Sequence, residues 1–121
     1  MANTFKVFTI ADVAIDSGTY STIYTCAGST TGIVIGLNIC NKTDTDRDVT
    51  VKLSSDTSSR TGANDAANEA VTLVNEVIIP ANTTLEVLSG QKIVIETTDV
   101  ITIGAEAGSA LDATLSVMEI T

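Results

Sequence analysis

The sequence predicts an all-β fold: a single-domain antiparallel β-sandwich over residues 1–121, jelly-roll-like or immunoglobulin-like, with about eight or nine strands. Three observations predict it. Short apolar runs recur every 8 to 15 residues with turn chemistry between them. Inside the runs apolar and polar residues alternate with a period of two, which a helix cannot use. The apolar material is Val, Ile and Leu with abundant Thr, while Trp is absent and the only rings are Phe5, Phe8, Tyr20 and Tyr24. Branched aliphatics suit a pleated surface, so the core is expected to be aliphatic.

The runs follow in order. Thr4 to Ile10 and Ala11 to Ile15 come first, closed by the turn signal Asp16-Ser17-Gly18. Tyr20 to Cys26 is next, and the Gly/Ser/Thr stretch from Ala27 to Gly32 suits a hairpin into the following run. There Ile33, Ile35, Leu37 and Ile39 alternate with Val34, Gly36, Asn38 and Cys40, which predicts odd positions toward the core. Asn41 to Asp48 reads as a polar hairpin loop, after which Val49, Val51 and Leu53 alternate with Thr50 and Lys52. Ser54 to Asn68 is rich in Ser, Asp, Asn, Gly and Ala and reads as a surface loop, with room for one helical turn near Ala66 to Ala70.

Val71 to Ile79 resumes as a strand and is stopped by Pro80, which cannot donate to a central ladder. Leu85 to Leu88, Ile93 to Ile95 and Val100 to Ile103 follow at short spacing, close to a meander, with turns at Ser89-Gly90-Gln91 and Thr97-Thr98-Asp99. After a small-residue loop, Ala105 to Ala110, the last strand is Thr114 to Ile120. Leu115 and Val117 share one parity there and Met118 and Ile120 the other, which predicts a bulge or burial on both sides.

Composition narrows the function. Fifteen acids against six bases give a net charge of −9, which repels nucleic acid and anionic membranes. Lys6, Lys42, Arg47, Lys52, Arg60 and Lys92 are scattered and form no basic stripe. The absence of His removes Ser-His-Asp and Cys-His nucleophile systems and every His-containing zinc site. No run reaches the roughly 20 apolar residues of a membrane span, and the N-terminus has neither a basic nor an apolar leader region. A soluble, unprocessed product is expected.

The candidate chemical motifs each have a structural reading. Asp44-Thr45-Asp46-Arg47-Asp48 has alternate acids, but a calcium loop needs Gly at its sixth position and Glu at its twelfth, where Val49 and Ser55 stand. Cys26 and Cys40 match no zinc or redox spacing. Placed on a hairpin with residue 26 opposite 33, they are too far apart along the ladder for an internal disulfide, and two reduced thiols are expected. Glu76, Glu86, Glu96, Asp99, Asp112 and Glu119 are the acids from which a glycosidase pair would be drawn. Most fall on polar positions of alternating strands, where a carboxylate faces solvent, and sugar-stacking rings are scarce. Asn41-Lys42-Thr43 and Asn82-Thr83-Thr84 match the glycosylation sequon and read as polar turns. Tyr20 and Tyr24 share a parity and read as packing residues. No catalytic residue, cofactor site or metal site is expected, and the chain does not read as an enzyme.

The run from Val77 through Pro80, Asn82 and Leu85 to the Ser89-Gly90-Gln91 turn, then Lys92 to Glu96 and Asp99-Val100-Ile101, is closed by the acidic strand Ala110 to Ile120. With Tyr24-Thr25-Cys26 leading through a Gly/Ser/Thr turn into Ile33 to Asn41, it resembles small virion structural proteins of tailed bacteriophages. That resemblance implies a β-sandwich carried on the particle in many copies and no catalytic residue. It makes the chain a capsid decoration or cement protein on the outer surface of the virion, produced in the host cytoplasm. Its expected partners are the major capsid protein and further copies of itself as a homo-oligomer. The alternatives are a neck, collar or tail-attached structural protein and, from another class, a carbohydrate-binding module. The N-terminal segment Ala2 to Ile10 and the loop Ser54 to Asn68 are the expected docking elements, on exposure and length.

Overall fold

A computed structural model describes residues 2–14, 20–55, 70–88 and 90–121. These form nine strands and, among the described residues, no helix: β1 (Asn3–Ile10), β2 (Ser21–Thr25), β3 (Thr31–Asn41), β4 (Arg47–Ser54), β5 (Val71–Ile79), β6 (Thr84–Glu86), β7 (Ile93–Ile95), β8 (Val100–Ala105) and β9 (Leu111–Ile120). They build two antiparallel sheets. The first has the order β1-β9-β3-β6, with β7 pairing farther along β3, and the second has the order β2-β8-β4-β5.

This strand order distinguishes between the two sandwich topologies that alternation leaves open. The chain steps back and forth between the sheets, and among the described residues β4 and β5 are the only sheet neighbours that follow one another in sequence. Two four-position sheets wound this way make a jelly roll, with β6 and β7 sharing one position. The core between them is aliphatic: Leu37, Ile39, Ile79, Ile95, Ile101, Ile103, Leu111 and Leu115 are fully buried, with Val13, Val34, Val49 and Val51. Each such side chain contributes roughly 1.5–3 kcal/mol through burial, which explains how a ring-poor chain holds two sheets together.

Several local expectations are corrected. Residues 26 and 33 do not face each other across a hairpin, because β2 and β3 lie in different sheets; Ala27–Thr30 bridges the layers instead. Asn41 to Asp48 likewise arches between sheets rather than closing a hairpin. The stretch from Leu85 to Ile103 is not a meander: β6 and β7 both add to β3, and β8 crosses to the other sheet. Residues 11–14 carry no strand, although Val13 is buried and its N–H donates to the Leu111 carbonyl at 2.9 Å. The turn at Asp16-Ser17-Gly18, Ser89 of the next turn, and nearly all of the loop from Ser54 to Asn68, with its helical turn, lie outside the described residues.

In β3 the expected odd-position face holds only for its second half. Val34 points into the core, and so do Leu37 and Ile39, because the register slips between Val34 and Gly36 and leaves Ile35 outside at 41% exposure. The cause is local. The Glu86 carboxylate accepts the Leu37 N–H at 2.9 Å and lies where a side chain on residue 36 would stand, so Gly36 admits it. The bulge expected for the last strand is therefore in its neighbour. In β9 itself the odd residues Leu111 to Glu119 all face inward and the even ones are half-buried on the outer face.

Candidate functional site

Register partners in adjacent antiparallel strands point to the same side of a sheet, so the ladder assigns the outer faces residue by residue. On the β1-β9-β3-β7 side one row crosses four strands: Phe5 pairs with Met118, Met118 with Ile33, and Ile33 with Val94. Phe5 is 72% exposed and Val94 59%. Val7, Ile35 and Ile120 extend this apolar area, with Asn3, Thr31 and Ser116 between and beside them. The equivalent row on the opposite sheet runs Thr22, Thr102, Lys52, Thr72. One outer face is thus apolar at one end, while this row of the other carries three threonines and a lysine, with Ile78 exposed farther along β5.

The apolar face adjoins an edge strand. Among the described residues β1 pairs with β9 on one side only, and its residues from Asn3 to Val7 are exposed. Of the two expected docking elements, Ala2 to Ile10 is exposed as far as Val7, with Phe8 and Ile10 half-buried, while the other falls largely outside the described residues. Lys6 on this edge blunts indiscriminate strand addition.

Behind β1 lies a buried polar cluster. Tyr24 donates its hydroxyl to Glu119 Oε2 at 2.7 Å, and Lys6 Nζ reaches Glu119 Oε1 at 2.7 Å. Phe8 stacks at a tilt against Tyr24, with centroids 4.9 Å apart. Lys6 and the Tyr24 hydroxyl together hold the Glu119 carboxyl below its ordinary range in spite of burial. Burial first, then the adjacent carboxylate, push the Tyr24 phenol well up. Glu119 is therefore no solvent-facing acid, a correction to the reading of its polar position, and Asp99 is buried too. The signal for Glu119 was its odd parity with Leu115 and Val117.

The remaining acids are dispersed. Asp112 and Glu119 are on opposite faces of β9, seven residues apart, so about 23 Å separates them along the strand. A retaining or inverting glycosidase needs its two carboxyls within about 10 Å. Glu86 is engaged at Leu37, Asp99 Oδ2 accepts the Glu96 N–H at 3.1 Å in a turn, and Glu76 stands exposed on β5. Asp112 joins Asp12 around Lys42 at the far end of the molecule. In the arch after β3, Asp46 accepts the Ala81 N–H at 3.0 Å, and no group of three metal-ligating side chains occurs among the described residues.

Both cysteines are free. Cys26 is in the core and its thiol donates to the Thr30 carbonyl at 3.2 Å, whereas Cys40 is half-buried on the outer face of the other sheet, in register with Asp112. Burial raises the Cys26 thiol pKa. Tyr24 packs as expected, and Tyr20 receives Lys52 over its ring at 4.6 Å.

No protein-family model matches this chain, and no curated protein matches it in sequence. Solved structures do. A chain of the T13 infectious bursal disease virus (IBDV) particle is similar at 10% identity over 97% of this chain, with a TM-score of 0.51. A chain of the Gx strain of that virus has 16% identity over 96%, TM-score 0.49, and a chain of the disulfide-linked pili that form Bacillus endospore appendages has 15% over 98%, TM-score 0.46. The chain spans 30% and 33% of the two viral chains and 88% of the pilus chain. At such identity the likeness to the T13 particle chain shows the fold, a two-sheet β-sandwich.

Proposed function

We propose that this chain is a virion structural protein of a tailed bacteriophage: a capsid decoration or cement protein, a single folded unit that adheres in many copies to the major capsid protein on the outside of the particle. The observation that carries the reading is the β1 edge, unpaired on one side among the described residues, with Phe5 and Val7 exposed at 72% and 62% on an apolar sheet face. Small soluble domains rarely leave such a surface to water unless a partner covers it. An extended edge also offers unpaired backbone groups to a neighbouring chain.

Three further facts support it. The jelly roll is an architecture used widely in capsids, and a virus-particle chain shares the fold. The residues from Val77 to Ile120 resemble phage virion proteins. A charge of −9 keeps the protein soluble before assembly and off packaged DNA, which favours the outer surface. Binding uses side chains without chemistry on a substrate, so the protein is read as a non-enzyme.

Quantitative mass spectrometry of purified particles tests this. A cement protein is expected at hundreds of copies per virion, as repeated lattice sites demand, whereas about six or twelve copies would move it to the neck or tail. Absence from purified particles would reject the virion role altogether.

A further inference from the structure

We propose that β1 is an exchangeable strand: it leaves its own sheet and takes the same place beside β9 of a second copy, so that two chains form a reciprocally swapped dimer. Such an exchange goes beyond the proposed function and does not depend on it.

The strand is terminal and lightly held. Of its eight residues Phe8 and Ile10 are half-buried, the rest are exposed, and its one sheet neighbour among the described residues is β9. The chain beyond it is anchored. Val13 is fully buried with its N–H on the Leu111 carbonyl at 2.9 Å, and the Ala14 carbonyl accepts the Ala105 N–H of β8 at 2.9 Å. Between the two parts stand Ala11 and Asp12, both exposed, where the chain passes from the edge of one sheet toward the other. They are the hinge.

Asp12 bends this hinge with a left-handed backbone, φ 57°, a region that most L-residues avoid. The local sequence favours a straighter path: Thr4 to Ile10 and Ala11 to Ile15 are consecutive apolar runs with branched residues at Val13 and Ile15, the pattern of one long extended segment. A straight hinge carries β1 away from its own β9. Short hinges under strain invite swapping of this kind.

The contacts themselves select the occupant. The β9 edge takes a strand in a register that brings Lys6 Nζ to Glu119 Oε1 at 2.7 Å, the Phe8 ring to 4.9 Å from that of Tyr24, and Ile10 opposite Ala113. β1 of a second copy supplies each of these unchanged. At the hinge the Asp12 N–H leaves Asp112 Oδ1 and its carboxylate leaves Lys42, both at the exposed surface, where such contacts contribute little. Phe5 and Val7 keep their outward positions in the swapped form, so the capsid contact remains open.

Sedimentation equilibrium after refolding at several hundred micromolar, in about 0.15 M salt to screen the like charges, tests the exchange. A species of twice 12.5 kDa is expected beside the monomer. Asp12→Gly tolerates the bend and Asp12→Val resists it, while both lose the Lys42 pair, so the difference between them reports the backbone. With native circular dichroism in each, the Val variant should dimerise on the order of a hundredfold more tightly than the Gly variant, about tenfold for each of two hinges. Val7→Cys with Ser116→Cys, register partners across the β1–β9 ladder, identifies the donor of the strand in a Cys40→Ser background. Oxidised in the isolated dimer, this pair should join the two chains on a non-reducing gel, and in the monomer it should close within one chain. A protein monomeric at every concentration, Asp12→Val included, overturns the proposal. So does equal dimerisation by the two hinge variants, and so does a dimer whose new disulfides stay within each chain. None of these results alters the copy number on particles, so failure here is distinguishable from failure of the virion role.

Discussion

Asn41 is the polar side chain on which most of the local structure converges. Its amide donates to the Thr45 and Ile79 carbonyls at 2.9 Å each, and its oxygen accepts the Thr43 N–H at 2.9 Å and the Thr43 hydroxyl at 2.7 Å. One buried side chain thus ties the end of β3, the arch beyond it and the end of β5. Asn41→Ala takes a donor from the buried Ile79 carbonyl and the acceptor from the Thr43 N–H, and should cost about 2–4 kcal/mol, read as a lower urea midpoint at an unchanged slope. The same burial shields this amide from glycosylation, although its tripeptide matches the sequon. Thr98 is a different case, a β-branched residue held at φ 72° in the β7–β8 turn. Thr98→Gly removes that strain and is expected to stabilise by about 1 kcal/mol, a rise of a few degrees in Tm. Gly32 is required by packing: a methyl there would be 2.7 Å from the Tyr24 hydroxyl. Gly32→Ala therefore displaces the ring from Glu119 and should destabilise by about 1–3 kcal/mol in the same melts.

At the scale of elements, the sequence announces strands far better than it announces their neighbours. Alternation is a local property, and it placed β5 ahead of Pro80 and β1 within a residue of its observed start. Which strand pairs with which depends on long-range packing, so β2 and β3 looked like a hairpin although each finds its partners elsewhere, β8 for one and β9 with β6 and β7 for the other. Three consecutive apolar residues, Ile33, Val34 and Ile35, also fit either parity, and the slip in β3 is decided by Glu86, about fifty positions away in the chain. The apolar outer face was hidden for the same reason: Phe5, Met118, Ile33 and Val94 become neighbours only through the ladder. Glu86→Ala is the test of that slip. With its carboxylate gone, the buried Leu37 N–H loses its acceptor, which should cost about 1–2 kcal/mol and speed amide exchange at Leu37 and Val87 ahead of the rest of β3.

For the whole molecule the first and last strands lie side by side, and Ala2 and Thr121 exchange backbone hydrogen bonds at 3.1 and 3.0 Å. The polar groups that straddle this seam set the pH range in which the sandwich holds. Glu119 titrates below its usual 4.5 because of Lys6 and then Tyr24, and Asp112 below its usual 3.8 because it accepts the Asp12 N–H, aided by Lys42. A carboxyl whose native pKa is lowered adds stability above its unfolded pKa and loses it as pH falls through the native value. Cys26 and Tyr24 act in the opposite sense. Burial raises them above their ordinary 9.0 and 10.0, so their contribution is whole below those values and fades as pH climbs through the raised ones. Stability is therefore expected to be level between about pH 5 and 9 and to fall on both sides. Thermal melts across that range check the plateau. Glu119→Gln keeps an oxygen for the Tyr24 hydroxyl but cannot be protonated, so its melting temperature should be lower at neutral pH and decline less between pH 5 and 3 than that of the unaltered protein. An equally steep decline in the variant would assign the acid sensitivity to Asp112 and the other carboxylates rather than to the seam between β1 and β9.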